Sequence, residues 1–177
     1  SDVWAKWMTE RSGRRVETLL QATSRARFRP DLPPVADADD LIFVGGSHGH
    51  EFGRAIVGLA VQADSPIGLW GPGWAKYAPT HAVRGKYLDR EALPRAYRSA
   101  NIVLNDHFPD MARWGFINNR TFDAIACGTP MISDAIDGLE LFGGAVVIAD
   151  SVERMRDLVT DRTWMPTPEK MAELAAM

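Results

Sequence analysis

The chain has 177 residues, 46% of them hydrophobic, with a formal net charge of −3 and no long run of like charge. This allows one domain with a real core and excludes a disordered chain; the nearest thing to a nucleic-acid stripe (Arg11, Arg14, Arg15, Arg25, Arg27 and Arg29) has no alternating aromatics and reads as a solvated or interdomain face, so no nucleic-acid partner is expected. No apolar run nears the ~20 residues that span a membrane and no signal peptide opens at Ser1, so no integral membrane segment is expected, a cytoplasmic location is the default, and a start without Met fits a fragment of a longer chain.

Asp2 to Thr9 carries apolar residues at helical spacing and predicts a short helix, and Val16 to Leu20 an extended strand. Phe28 to Asp40 holds Pro30, Pro33, Pro34 and several acids and reads as a linker, which starts the compact core near Asp40. Leu41-Ile42-Phe43-Val44 is a continuous apolar run ended by Gly45-Gly46, as a buried parallel strand should be. A helix is expected over Phe52 to Val61, a second strand over Ile67 to Trp70 closed by Gly71-Pro72-Gly73, and a short third over Ala82 to Gly85. Asp89 caps a helix to about Ser99. Asn101 to Leu104 is a fourth strand, Asn118 to Ala126 a helix, Pro130 to Ser133 a fifth strand and Ala145 to Ala149 a sixth. Ser151 caps a helix to about Val159, and Thr167-Pro168-Glu169 starts a last one. Cys127, the single cysteine, rules out an internal disulfide and reads as a small core residue.

Strand–helix alternation with short connections implies an α/β fold, a doubly wound, Rossmann-like parallel sheet. Ligands bind such sheets beyond the carboxyl ends of the strands, where loops 45–51, 71–77, 85–89, 105–119 and 134–141 should gather. Gly45-Gly46-Ser47-His48-Gly49 lets backbone N–H groups approach a phosphate, against the plainer reading of a tight turn. It is neither G-x-G-x-x-G nor a P-loop. His48 and His50, even with Glu51 or His107, complete no coordination set, so neither metal nor cofactor is expected. Trp70, Trp74 and Tyr87 follow successive strands and offer rings for a nucleobase, Trp70 reading rather as core. Asn105-Asp106-His107 forms a polar cluster at the end of the fourth strand; with no Gly-x-Ser-x-Gly elbow it is not a hydrolase triad, and it takes a supporting or donor-contacting role.

The most informative stretch is Asn118-Asn119-Arg120-Thr121-Phe122-Asp123-Ala124-Ile125-Ala126-Cys127-Gly128-Thr129-Pro130-Met131-Ile132-Ser133. A helix N-terminus attracts anions, so Asn118, Asn119 and Arg120 suggest a phosphate, and Asp123 one turn on a ribose hydroxyl. This unit, with Phe43-Val44-Gly45-Gly46, Leu69-Trp70-Gly71, Gly85-Lys86-Tyr87 and Ala96-Tyr97-Arg98-Ser99-Ala100, resembles the donor-binding half of GT-B glycosyltransferases, closest to the group 1 enzymes that include the spore-coat CgeB-like proteins. The likeness covers roughly Arg15 to Val159.

The resemblance implies one half of a GT-B fold: residues 1–39 as an interdomain helix, strand and linker, and residues 40–177 as a nucleotide-sugar-binding domain. The implied partner is a nucleotide-diphosphate sugar donor, and the acceptor-binding domain is absent from this chain. Gly45, Gly46 and Gly71 would line the site, Arg54 or Arg120 would face the diphosphate, Tyr87 would meet the base, and Asp123 matches the second acid of the E-x7-E element that holds the ribose. Gly115 stands where the first acid of that element belongs, which leaves the stereochemistry open and shifts sugar contact to Phe116, Ile117, Asn118 and Asn119. No catalytic residue is assigned. A non-catalytic nucleotide- or partner-binding module with a degenerate site is the alternative, and a GT-B-like sugar epimerase a third reading that would need a second domain.

Overall fold

Six short strands build one parallel sheet: β1 (Leu41–Val44), β2 (Ile67–Trp70), β3 (Val83–Gly85), β4 (Ile102–Asn105), β5 (Met131–Ser133) and β6 (Val146–Ile148), in the order β3-β2-β1-β4-β5-β6. The computed structural model describes residues 1–47 and 54–177. The helices are α1 (Asp2–Ser12), α2 (Ala55–Gln62), α3 (Ala92–Ser99), α4 (Pro109–Trp114), α5 (Asn119–Ala126), α6 (Val152–Thr160) and α7 (Pro168–Ala175). Side chains alternate across each strand, so Leu41 and Phe43 join α2 and α6 in one core layer while Ile42 joins α3, α5 and α7 in the other. Burial on both faces explains why the central strands β1 and β4 read as apolar runs, whereas β3, at the edge, carries the exposed Arg84. Among the described residues no helix is long and apolar enough to cross a membrane.

The helix starts follow the sequence signals. Asn118 Oδ1 accepts from the Thr121 N–H, Ser151 Oγ from Arg154 and Thr167 Oγ1 from Lys170, with Pro168 in the first turn. Asp89 Oδ1 accepts from the N–H groups of Glu91 and Ala92 at 2.9 and 2.7 Å, which starts α3. Phe52 and Gly53, the expected start of α2, lie outside the described residues.

Two features differ from expectation. The stretch at Val16–Leu20 is in neither helix nor strand. Its onward run lies along α5, with Thr23 on Asp123 and Phe28 packed 6.4 Å from the Tyr97 ring, and a helix flank offers no ladder to join. The loop expected between β4 and α5 contains α4, which starts at Pro109 and ends at Gly115. α1 covers it, with Trp7 and Trp114 ring centroids 5.0 Å apart and Trp4 6.0 Å from Phe116.

Gly128 ends α5 at φ +79, where an added Cβ would lie 3.3 Å from Pro30 Cβ. Gly128→Val therefore meets both the left-handed backbone cost of ~1–2 kcal/mol and this contact. Its melting temperature should fall by several degrees, at ~2–4 °C per kcal/mol for a chain of this size. A variant that melts like the parent yet loses ligand binding would instead put this turn against the ligand.

Arg162 donates to both carboxylate oxygens of Asp40, and these hydrogen bonds, reinforced by Asn101 and opposed by burial, hold the Asp40 carboxyl below its ordinary 3.8. The folded value lies below the unfolded one, so the stabilisation is complete above the unfolded value and is lost as pH falls through the folded one. Arg162→Ala should cost ~1 kcal/mol near neutral pH, since the pair is partly solvated. Urea melts of parent and variant should converge in strong acid; a gap independent of pH would refute the assignment.

Candidate functional site

β1 and β4 lie side by side at the centre of the sheet but pair only through Leu41↔Ile102 and Ile42↔Val103. Beyond that point β1 stays with β2 (Val44↔Trp70) and β4 with β5 (Asn105↔Ser133), so their carboxyl ends part. This is the switch point of the sheet, where the strand order reverses and a crevice opens. Arg120, from the first turn of α5, reaches into it. Its Nε and Nη2 donate to the Val44 carbonyl at 3.2 and 2.9 Å, and its Nη1 donates to Asn105 Oδ1 at 2.8 Å. Its guanidinium carbon stands 4.6 Å from the Phe43 ring centroid.

Fully buried Asn105 is the hub of this edge. Its Nδ2 donates to Thr121 Oγ1 and Ser133 Oγ at 3.2 and 3.1 Å, and its Oδ1 also accepts from Asn118 Nδ2 at 2.9 Å. Asn118 Nδ2 donates further to the Asp106 carbonyl at 2.8 Å. α5 is thereby bound to the end of β4 through its own capping residue.

Beside this hub lies a buried ion pair. Arg54 Nη1 is 3.0 Å from Asp106 Oδ1, and both side chains are 8% exposed. Arg120 Nη1 is 3.8 Å from the same oxygen, so two guanidinium groups share one carboxylate, with the Asp134 carboxylate acting on the Arg54–Asp106 pair from nearby. Burial, the largest influence on each partner, pushes the Asp106 carboxyl up and the Arg54 guanidinium down, while their mutual attraction opposes both changes. Next to it His107 Nδ1 is 2.7 Å from Asp134 Oδ1, and the His107 N–H donates to Asp134 Oδ2 at 2.9 Å.

The structure brings Gly45, Gly46, Arg54, Gly71, Asn118 and Arg120 to this one edge. Arg54 Nε donates to the Gly46 carbonyl at 3.2 Å and Trp74 Nε1 to the Gly45 carbonyl at 2.8 Å. Gly71, at φ +145, lies so close that a Cβ would fall 2.2 Å from the Gly45 oxygen. The Gly45 and Ser47 N–H groups are engaged by the Trp70 and Pro72 carbonyls at 2.7 and 3.0 Å, so neither is open to a phosphate. Trp74 is buried against Phe43, its indole holding the Gly45 turn. His48, Gly49, His50 and Glu51 lie outside the described residues.

Asn119 is exposed at the start of α5. Phe116 and Ile117 line a small pocket with Leu19 and Leu20, under the N-terminal segment. Asp123 lies on the flank of α5, where Thr23 Oγ1 donates to its Oδ1 at 2.5 Å; burial pushes its carboxyl up, against that hydrogen bond and the nearby arginines. Tyr87 is 77% exposed beyond β3. Cys127 is fully buried and burial pushes its thiol up to about 12, which suits packing. Sequence reasoning passed over Asp134; its place one residue past β5 on the ligand-binding edge is the signal that marks it.

Comparisons with known proteins agree with this geometry. A family profile described as glycosyl transferase-like matches residues 54–177, more than half of the chain. No curated protein matches. Among solved structures, AviGT4, a glycosyltransferase involved in avilamycin A biosynthesis, superposes with a TM-score of 0.64 at 20% identity over 93% of this chain and 53% of its own. Sucrose-phosphate synthase from Thermosynechococcus elongatus gives a TM-score of 0.64 at 18% identity over 97% of this chain and 51% of its own. The chain thus spans about half the length of the solved structures it matches. The profile match, on a doubly wound sheet whose polar edge lies where such folds take ligands, shows that the chain belongs to the glycosyl transferase-like family.

Proposed function

We propose that this chain is the donor-binding half of a GT-B glycosyltransferase and holds a nucleotide-diphosphate sugar at the edge around Asn105. The observation that carries this reading is the pair of largely buried guanidinium groups, Arg54 and Arg120, held at the switch-point crevice beside the N-terminus of α5. A departing diphosphate gathers negative charge as the sugar bond breaks, and fixed cations with a helix N-terminus are suited to stabilise it. Asp106 keeps the two guanidinium groups in place before the ligand arrives, so little reorganisation is needed on binding.

In this assignment the diphosphate meets Arg54, Arg120, Asn119 and the first-turn N–H groups of α5. Asp123 takes the ribose in exchange for, or alongside, Thr23, and Tyr87 covers the base. Residues 1–39 form the interdomain segment, and an acceptor-binding domain completes the enzyme. A non-catalytic nucleotide-binding module is the second reading. It is favoured by the number of polar groups at the edge already satisfied within the protein, among them the Gly45 and Ser47 amides and the Asn118 side chain. Turnover by the completed two-domain enzyme separates the two.

Titration calorimetry of this chain with UDP, GDP, ADP and TDP should give heat with at least one of them, without turnover of a nucleotide sugar by the chain alone. Arg120→Ala should weaken that diphosphate by ~1.5–3 kcal/mol, the range of hydrogen bonds to charged groups. Asp123→Asn should weaken the nucleoside diphosphate and leave inorganic pyrophosphate nearly unaffected. No heat from any of the four with folded protein, or both variants binding like the parent, would show the site to be misplaced.

A further inference from the structure

One group at this edge has an unmet hydrogen-bonding requirement. The His107 side chain is fully buried. Its Nδ1 faces Asp134 Oδ1 at 2.7 Å, and Asp134 also accepts from the His107 backbone N–H and from Ser133 Oγ. A carboxylate only accepts, so Nδ1 carries the proton, and in the neutral ring Nε2 is left as a bare acceptor. Nε2 is buried and has no hydrogen-bond partner among the described residues. A buried acceptor left unmade is costly, and such an atom calls for an occupant.

His107 borders a pocket of about 190 Å³ whose other walls include Arg54, Asp106, Ile56, Phe108 and Pro109. That volume holds about six waters at ~30 Å³ each, the scale of one sugar ring and too small for a nucleoside. Apolar walls suit the C–H face of a pyranose, and a fixed acceptor suits one of its hydroxyls. Arg54 and Asp106 belong both to this pocket and to the charged edge, so a group placed here is the immediate neighbour of the diphosphate.

We propose that His107 is a ligand-contacting residue: its Nε2, fixed by Asp134, accepts a hydrogen bond from a hydroxyl of the donor's sugar, so that this pocket selects the sugar-bearing nucleotide over the bare diphosphate. The proposal rests on the donor-binding reading of the same edge. Asp134 acts through His107, as a positioning residue, by fixing the tautomer.

The test compares paired ligands: UDP with UDP-glucose, GDP with GDP-mannose, ADP with ADP-glucose and TDP with TDP-glucose, titrated into the parent and into His107→Phe. For at least one pair the parent should bind the sugar-bearing member about tenfold more tightly, and in His107→Phe that ratio should fall to about one. Because the variant tests folding as well as contact, the unaltered protein is also labelled with ¹⁵N-histidine. Its His107 Nε2 resonance should move on adding the sugar nucleotide and not on adding the bare diphosphate. No acceptor is present, so a response assigns the hydroxyl to the donor's sugar. Equal affinity for both members of every pair in the parent, a ratio that persists in His107→Phe, or an Nε2 resonance indifferent to the sugar overturns the role of His107 while diphosphate binding stands. No heat from any bare diphosphate removes the donor-binding reading and this proposal with it.

Discussion

The parting of β1 from β4 is the constraint on which the rest of the molecule turns. Two strands that pair at Leu41↔Ile102 and Ile42↔Val103 separate before either ends, because each is drawn to its other neighbour as the sheet twists. A gap in the middle of a sheet exposes carbonyl oxygens with no ladder partner, and a buried carbonyl must find a donor. Arg120 supplies it: one planar fork spans Val44 and Asn105 and closes the gap from above. A lysine carries its donors on one nitrogen and lacks the planar fork that spreads Arg120's donors between Val44 and Asn105. The residue that the sequence offers as a phosphate ligand is thus first a brace, and any anion it binds is bound by a group already positioned by the sheet.

That brace brings buried charge with it. Arg120 and Arg54 share Asp106 in an environment where desolvation outweighs attraction for both members of the Arg54–Asp106 pair. A buried pair of this kind is weak evidence for stability, since well-packed apolar residues often do as well. Phe43 and Phe108 lie close enough to Arg54 to meet it with ring faces, at 5.9 and 4.7 Å, and they recover part of the lost hydration. What an apolar replacement could not provide is the pair of guanidinium donors beside the N-terminus of α5. The arrangement is costly for the fold and useful for an anion, as functional sites commonly are.

Much of the sheet was legible in the sequence because its central strands are buried on both faces: a short apolar run, then a glycine or polar stop. Ser151, Thr167 and Asp89 marked their helices through side-chain oxygens that satisfy the first N–H groups, a purely local effect. α4 escaped notice because it has only six residues, too few to show a period. The site divided along the same line. Residues at strand ends and at the α5 start could be named from position alone, whereas their partners could not. The contacts of Arg54 with Asp106, Arg120 with Val44 and Thr23 with Asp123 join residues 52, 76 and 100 positions apart, and no local pattern encodes them.

The N-terminal segment shows what such distance conceals. Read as sequence, residues 15–30 hold an expected strand at Val16–Leu20, a scatter of arginines and the first residues of the linker. In the fold they run beside α5 from Phe116 and Ile117 to Pro30 near Gly128, and Thr23 sits on the carboxylate singled out for the ribose. Asp123 is half-buried there, and burial raises its carboxyl because the charged form has lost water that Thr23 only partly replaces. A ribose hydroxyl is chemically the same partner as the threonine hydroxyl: one O–H donor to one carboxylate oxygen. Under the proposed assignment, Thr23 therefore stands where the ribose hydroxyl would and relieves the same deficit. The segment that the sequence presents as interdomain is, at Thr23, packed on the flank of α5.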